Sequence, residues 1–299
     1  MTATSMKPAS GDKASRYRMA HPFWRAYRRF RRHRAAQVGG FLIGLLVIAG
    51  MLAPVIAPYS PSVIDMSNRL ATPTLEHWFG TDQLGRDIFS RVLHGARISV
   101  LIGVISVGIA LLGGLPLGAF AGYLGGRVDR GLTAVVDFLL AFPPLLLAIL
   151  VIAIFGPGLR NAMIAIGISL VPIFARLIRA EVMRVREEVY VESARALGAN
   201  HVRIVLTHIF PNALPPIIVQ VTLSMATAIL SASYLGFLGL GAQPPSPEWG
   251  AMLSDGRSYL RNAMHLSIFP GVVIMVTILA FNLFGDGLRD ALDPRSHRG

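Results

Sequence analysis

Apolar residues fall in long unbroken blocks along this chain rather than in the short alternating patches of a soluble domain. Six runs stand out, at about 38–58, 97–121, 131–155, 161–180, 213–238 and 266–285. A hydrocarbon core of about 30 Å takes roughly 20 residues of helix to cross, and each run is about that long. Backbone groups in a bilayer must be satisfied within the segment, so the runs predict helices and the chain reads as an all-α integral membrane protein with six spans. Residues 1–37 are polar and basic. This tail is longer than a signal-peptide n-region and the run after it is long enough to span, which predicts a retained first helix ending near Pro54 and Pro58. A polar stretch, 59–96, separates the first two runs. No convincing internal repeat or low-complexity segment is present.

Proline and glycine shape the spans. Pro116, Pro143, Pro144, Pro172 and Pro270 lie inside spans or near their ends, where each kinks a helix or opens its hydrogen-bond ladder. Gly103, Gly108, Gly113, Gly114 and Gly118 run along the second span, where small residues admit close helix packing or mobile gating segments.

Composition and charge narrow the class. The 299 residues are 53% hydrophobic and 15% charged, with mean hydropathy +0.57; soluble domains carry about 25% charged residues. Cysteine is absent, which excludes disulfides, iron–sulfur ligation and thiol catalysis by this chain. The only lysines are Lys7 and Lys13, neither of them after a Gly-rich turn, so the chain by itself holds no phosphate-cradling P-loop. Its net charge of +12 fits membrane-flanking basic residues rather than nucleic-acid binding. With the N-terminus placed in the cytoplasm, 21 of the 28 Lys and Arg fall on that side and 7 on the other. That bias predicts both termini inside. Arg86, Arg91 and Arg97 on the outer side are its weakest part.

Residues 181–212 are the least membrane-like part of the inner half. Val182, Val185 and Val189 recur at helical spacing, and Arg184–Glu188 and Glu192–Arg195 are spaced for ion pairs. Gly198 suits a helix stop and Asn200 suits a cap for a second short helix presenting Val202, Val205, Leu206 and Ile209, ended by Pro211. The segment reads as a helix–turn–helix on the membrane face. It is either a connector lying on lipid headgroups or a docking element for a soluble partner, with Glu192 as polar anchor.

Glu192-Ser193-Ala194, three residues, Gly198, nine residues and then His208-Ile209-Phe210-Pro211 resembles the EAA loop of ATP-binding-cassette importer permeases. Ser193, His208 and Phe210 depart from that pattern without removing its Glu, Gly or Pro. Three further segments resemble the second permease of dipeptide, oligopeptide and nickel importers. They are His77 to Asp87 (HWFGTDQLGRD), Gly239 to Pro245 with Glu248-Trp249-Gly250, and Asn282 to Asp290 with Leu292-Asp293-Pro294. The resemblance runs from about residue 24 to 295. It implies a type I importer permease fold, and with the apolar runs it divides the chain into a tail at 1–37, a first helix at 38–58, an external loop with an interfacial helix at 59–96, a five-helix transmembrane domain at 97–288 and a tail at 289–299.

The resemblance also implies partners: a homologous second permease, two cytoplasmic ATPase subunits that bind ATP and Mg, and an extracytoplasmic substrate-binding protein, all at a bacterial inner membrane. Carried over residue by residue, Glu192 is the anchoring carboxylate of the ATPase-coupling stretch Glu192-Ser193-Ala194, Gly198 its turn and Pro211 its exit. The branch handles dipeptides, oligopeptides, glutathione, D-amino-acid dipeptides and nickel complexes, of which short peptides span the most. The chain itself is expected to be a transport subunit, without catalysis, cofactor, metal or nucleic acid.

The residues leave a few other sites to weigh. Asp137 lies within the third span, where an ionisable residue asks for a partner; Arg176 or Arg179 would serve, as an interhelix salt bridge or as a polar patch lining a path. Thr81, Asp82 and Asp87 suit a turn and a cap for a helix carrying Ile88, Phe89, Val92 and Leu93, or a lip under a docked protein. Trp249 suits an interfacial anchor. His201 and His208 lie about 10 Å apart along a helix axis, too far for one ion. The competing classes are a self-sufficient secondary transporter, which often shows inverted repeats, and an integral-membrane enzyme, which needs clustered carboxylates or histidines at membrane depth.

Overall fold

The computed structural model describes residues 33–292; most of the basic tail, and Asp293 and Pro294, lie outside the described residues. These residues form an all-helical bundle. The first helix, α1 (Arg34–Ile56), is capped by the His33 ring, which accepts from the Ala36 amide. It starts earlier than the apolar run predicts and passes through Pro54. Its exposed side carries Phe41, Leu45 and Met51.

The second helix departs from the sequence reading. Instead of an interfacial helix followed by a span, one helix, α2 (Ile88–Leu124), runs 37 residues. At 1.5 Å per residue it is about 55 Å long, well beyond a membrane core of about 30 Å. The Asp87 carboxylate caps it by accepting from Ser90 N at 2.7 Å. No proline falls between 88 and 97 and Gly95 is carried inside the helix, so the cap segment and the span fuse.

The third run is also corrected. It is not one straight span but two helices, α3 (Gly126–Leu140) and α4 (Pro144–Phe155), bent by 90°. Pro143 and Pro144 lack N–H groups, so Pro144 offers no donor to the Leu140 carbonyl and the ladder breaks there. Helix α5 (Leu159–Arg186) is the most enclosed of the long helices. It packs along α2, where Gly114, Gly118 and Gly122 replace side chains at the contact. A Cβ on Gly118 would stand 2.5 Å from the Ala175 carbonyl oxygen.

Beyond α5 come α6 (Val189–Ala196), α7 (His201–Ile204), α8 (Phe210–Phe237), α9 (Trp249–Gly256) and α10 (His265–Leu292). The chain alternates between two ends. The tail end gathers residues 33, 125, 187–209 and 292, and His33 pairs there with Asp290 at 3.2 Å. The loop end gathers 57–87 and 238–264. A large core joins α2, α5 and α8 and reaches Val191, Ile204 and Ile209; a smaller one at the loop end holds Ile88, Val92, Trp249, Met252 and Leu266.

Candidate functional site

The tail-end segment is a folded platform. Helix α5 stops at Arg186, so Val182 and Val185 are buried while Val189, beyond the stop, is exposed. Helix α6 is pinned by buried Val191 and closed by a C-terminal turn in which Gly198 N donates to Arg195 O and Ala199 N to Ala194 O. Gly198 takes φ +84°, a conformation that side chains resist. Asn200 caps α7, accepting from Arg203 N at 2.8 Å.

Pro211 does not end this helix. The chain runs on through a π turn, Val205–Ile209, into α8, with Phe210 N donating to Val205 O. A proline ring clashes with the carbonyl four residues back, and the wider π turn relieves that clash. The apolar side assigned to this stretch divides: Ile209 is buried and Val205 half-buried, whereas Val202 and Leu206 are exposed. Buried Ile204 completes the inward face.

What remains outside is apolar and charged together. Leu197 is 89% exposed, and Val189, Val202 and Leu206 are exposed at the same end. Glu192, Ser193 and Arg195 are exposed too. The Ser193 hydroxyl is spent on the Val189 carbonyl, and Ala194 is half-buried. Arg184 reaches Glu181 at 2.8 Å and Glu188 at 4.0 Å. The expected Glu192–Arg195 pair does not form, in keeping with the small worth of exposed pairs. Among the described residues, Glu192 has no side-chain partner. At the base of the platform the Tyr123 hydroxyl meets His201 Nδ1 at 2.6 Å, and Arg186 donates to the Tyr123 carbonyl, tying the segment to the end of α2.

A polar track runs up α3 from this end. Asp129, Thr133 and Asp137, spaced by four, share one face. Arg179 meets Asp129 at 2.5 Å and Arg176 meets Asp137 at 2.5 Å. Asp137 thus finds its partner in Arg176, while Arg179 is taken by Asp129, a residue that the sequence reading passed over. Its signal was there, in the spacing of three carboxylate and hydroxyl groups along α3. The two pairs differ: Arg179 and Asp129 are 30% and 17% exposed, Arg176 and Asp137 60% and 52%. A cleft between α2, α3 and α5 opens beside them, lined by Leu117, Val136 and Ala175.

At the loop end, turn-and-cap chemistry is built into an ion cluster. Gly80 and Gly85 adopt positive φ, and Thr81 and Asp87 form a single antiparallel bridge. The Asp82 carboxylate accepts from Leu84 N, Arg86 N and Arg86 Nε, the last at 2.6 Å. Arg91 lies 3.7 Å from Asp82, and Arg86 lies 3.5 Å from Asp255. Arg86 and Arg91, two of the arginines that weakened the charge bias, are therefore buried and matched locally. Trp249 is not an interfacial anchor. It is fully buried, with its indole N–H on the Val92 carbonyl at 3.0 Å, because Gly95 leaves room for the ring. Buried Glu248 caps α9 by accepting from Gly250 N and Ala251 N, both at 2.8 Å. Burial pushes its carboxyl up to about 7. No group of three or more metal-ligating side chains occurs among the described residues.

Several helices long and apolar enough to cross a membrane, with a bent helix pair and a folded platform at one end, are the architecture of a multi-pass membrane protein. The chain belongs to the family described as binding-protein-dependent transport system inner membrane component, whose model matches residues 114–298. Residues 21–73 match the N-terminal transmembrane domain of oligopeptide transport permease C. A dipeptide transport system permease protein, DppC, of Alkalihalophilus pseudofirmus is 47% identical over 97% of this chain and 95% of its own. The glutathione transport system permease protein GsiD of Escherichia coli is 48% identical over 92% of this chain and 90% of its own. Among solved structures, an inward-facing form of the MetNI methionine ABC transporter superposes with TM-score 0.58 at 19% identity, over 69% of this chain and 98% of that one. An amino acid ABC transporter crystallised with histidines gives 0.54 at 16%, over 68% and 94%. At these identities the superpositions speak for the fold.

Proposed function

We propose that this chain is one half of the translocation path of an ATP-driven importer of short peptides, and that the platform at 187–209 is its coupling element. In this reading the termini and the platform face the cytoplasm, a homologous permease supplies the other half of the path, and an extracytoplasmic binding protein delivers cargo to the loop end. Two partner ATPase subunits bind and hydrolyse ATP with Mg, leaving this chain a transport role without catalysis. Dipeptides and glutathione are the cargoes named for the relatives at 47–48% identity.

The single observation that carries the coupling role is the exposed surface of the platform. Leu197, Val189, Val202 and Leu206 are exposed on the same segment as Glu192, which has no partner of its own among the described residues, on an element pinned to the core by Val191, Ile204 and Ile209. An apolar surface on a rigid mount suits a groove in a soluble partner better than open solvent. A charge-assisted hydrogen bond from Glu192 to an arginine of that groove is worth about 1.5–3 kcal/mol. The test is Glu192→Ala in the complete transporter: ATP hydrolysis stimulated by loaded binding protein falls about tenfold or more. Unchanged stimulation would remove Glu192 from the anchor role.

A further inference from the structure

The Asp137–Arg176 pair is placed oddly for a structural salt bridge. Asp137 is the twelfth residue of α3 and Arg176 lies ten residues before the end of α5, so each stands about 15–17 Å along its helix from the tail end. Counted from the apolar runs that begin at 131 and end at 180, Asp137 lies about 9 Å and Arg176 about 6 Å inside the span. Yet this deeper pair is more exposed than the Arg179–Asp129 pair nearer the tail end. Ionised groups at membrane depth face protein or water rather than hydrocarbon.

A second feature lies on the same side. Ala141, one turn beyond Asp137, starts the exposed break Ala141–Pro144, where Pro144 offers no N–H to the Leu140 carbonyl. Open backbone at membrane depth is found where it is buried in protein or lines a water-filled cavity. The helices either side are apolar outward, with Leu112 and Phe120 on α2 and Leu146, Leu150 and Ile154 on α4. Asp137 and the broken backbone stand one helical turn apart, with exposed Phe138 and Phe142 beside them.

We propose that this patch lines the translocation path and that the Asp137–Arg176 pair is a contact site for zwitterionic cargo, Asp137 taking the ammonium end of a short peptide and Arg176 its carboxylate end. The proposal rests on the importer reading above and names its cargo contact. The chemistry is complementary: a guanidinium fork matches a carboxylate, and a carboxylate accepts from an ammonium. Reach is adequate, since extended chain spans about 3.3–3.6 Å per residue and packed helices stand about 8–10 Å apart. The pair also supplies release. When Asp137 and Arg176 close on each other they compete with the cargo, which keeps the contact weak enough to leave.

The absence of cysteine gives a clean test. Ala141→Cys and, separately, Ala134→Cys place one thiol three or four residues from Asp137 without removing a charge. Phe41→Cys, on the exposed apolar side of α1, is the reference. The transporter, isolated with its partner subunits and held in lipid nanodiscs, is treated with a charged, membrane-impermeant methanethiosulfonate. Labelling at 134 and 141 is expected about tenfold or more faster than at 41, because reaction needs the thiolate in water. A matching rate at all three positions would overturn the path assignment.

Cargo contact is read in vesicles as uptake per ATP hydrolysed, with a defined mixture of dipeptides and tripeptides. Asp137→Asn and Arg176→Gln are each expected to lower this ratio about tenfold. The double exchange D137R/R176D separates contact from latch: a mere interhelix salt bridge is restored by it, and full recovery would overturn the proposal, whereas a cargo contact stays impaired. Failure of the unsubstituted transporter to take up any peptide with ATP would instead strike the importer reading beneath.

Discussion

Glu248 shows how a single side chain can set the behaviour of the loop end. Its carboxyl closes α9 through two backbone amides while burial holds it near 7 against an ordinary 4.5. A carboxyl raised on folding binds more protons in the native state between those two values, so its contribution is full below about 4.5 and is lost as pH rises through about 7. The protein in detergent is expected to melt higher at pH 5 than at pH 8. Glu248→Gln should flatten that dependence, since an amide does not titrate; an unchanged slope would assign it to another group. This role was not legible beforehand. The sequence showed Glu248 only as part of a resembling loop, and what decides its state is the enclosure by Gly236 and α9, a tertiary fact. Trp249 misled for the same reason, because interfacial propensity says nothing about a slot opened by Gly95 on another helix.

At the scale of elements, the α2–α5 pair is the frame on which both ends are mounted. Gly114, Gly118 and Gly122 bring the two backbones together, and the Tyr123–His201 contact hangs the platform from the end of α2. Gly118→Ala would press a methyl against the Ala175 carbonyl and is expected to cost about 1–3 kcal/mol, read as a lower melting temperature and reduced yield of intact complex. Gly108→Ala, where nothing lies within 4 Å, is the matched substitution expected to be nearly silent. Element types were readable from hydrophobic runs, because a span must bury its backbone. Element joints were not. The fusion of the Asp87 cap with the second span, the right-angle break at Pro143-Pro144 and the continuation through Pro211 all depend on how neighbouring turns resolve. A proline marks such a place without saying whether the helix stops, bends or widens to a π turn.

Taken as a whole, the molecule places an exposed apolar and acidic platform at one end, a buried ion cluster at the other, and an exposed charge pair between them on one side. The platform and the charge pair are two exposed surfaces that the chain leaves uncovered, which is what a subunit of a larger assembly presents. The resemblance carried by the EAA-like segment reached this class from the sequence, and the family match across residues 114–298 agrees with it. Asp255 was not singled out beforehand, because its partner Arg86 comes from a distant turn. The most direct measurement is isolation of this chain in mild detergent from its native membrane, with mass spectrometry of the subunits that accompany it. The account predicts a second, homologous permease and P-loop ATPase subunits in fixed stoichiometry. A homo-oligomer with no ATPase, even after cross-linking in the membrane, would contradict it.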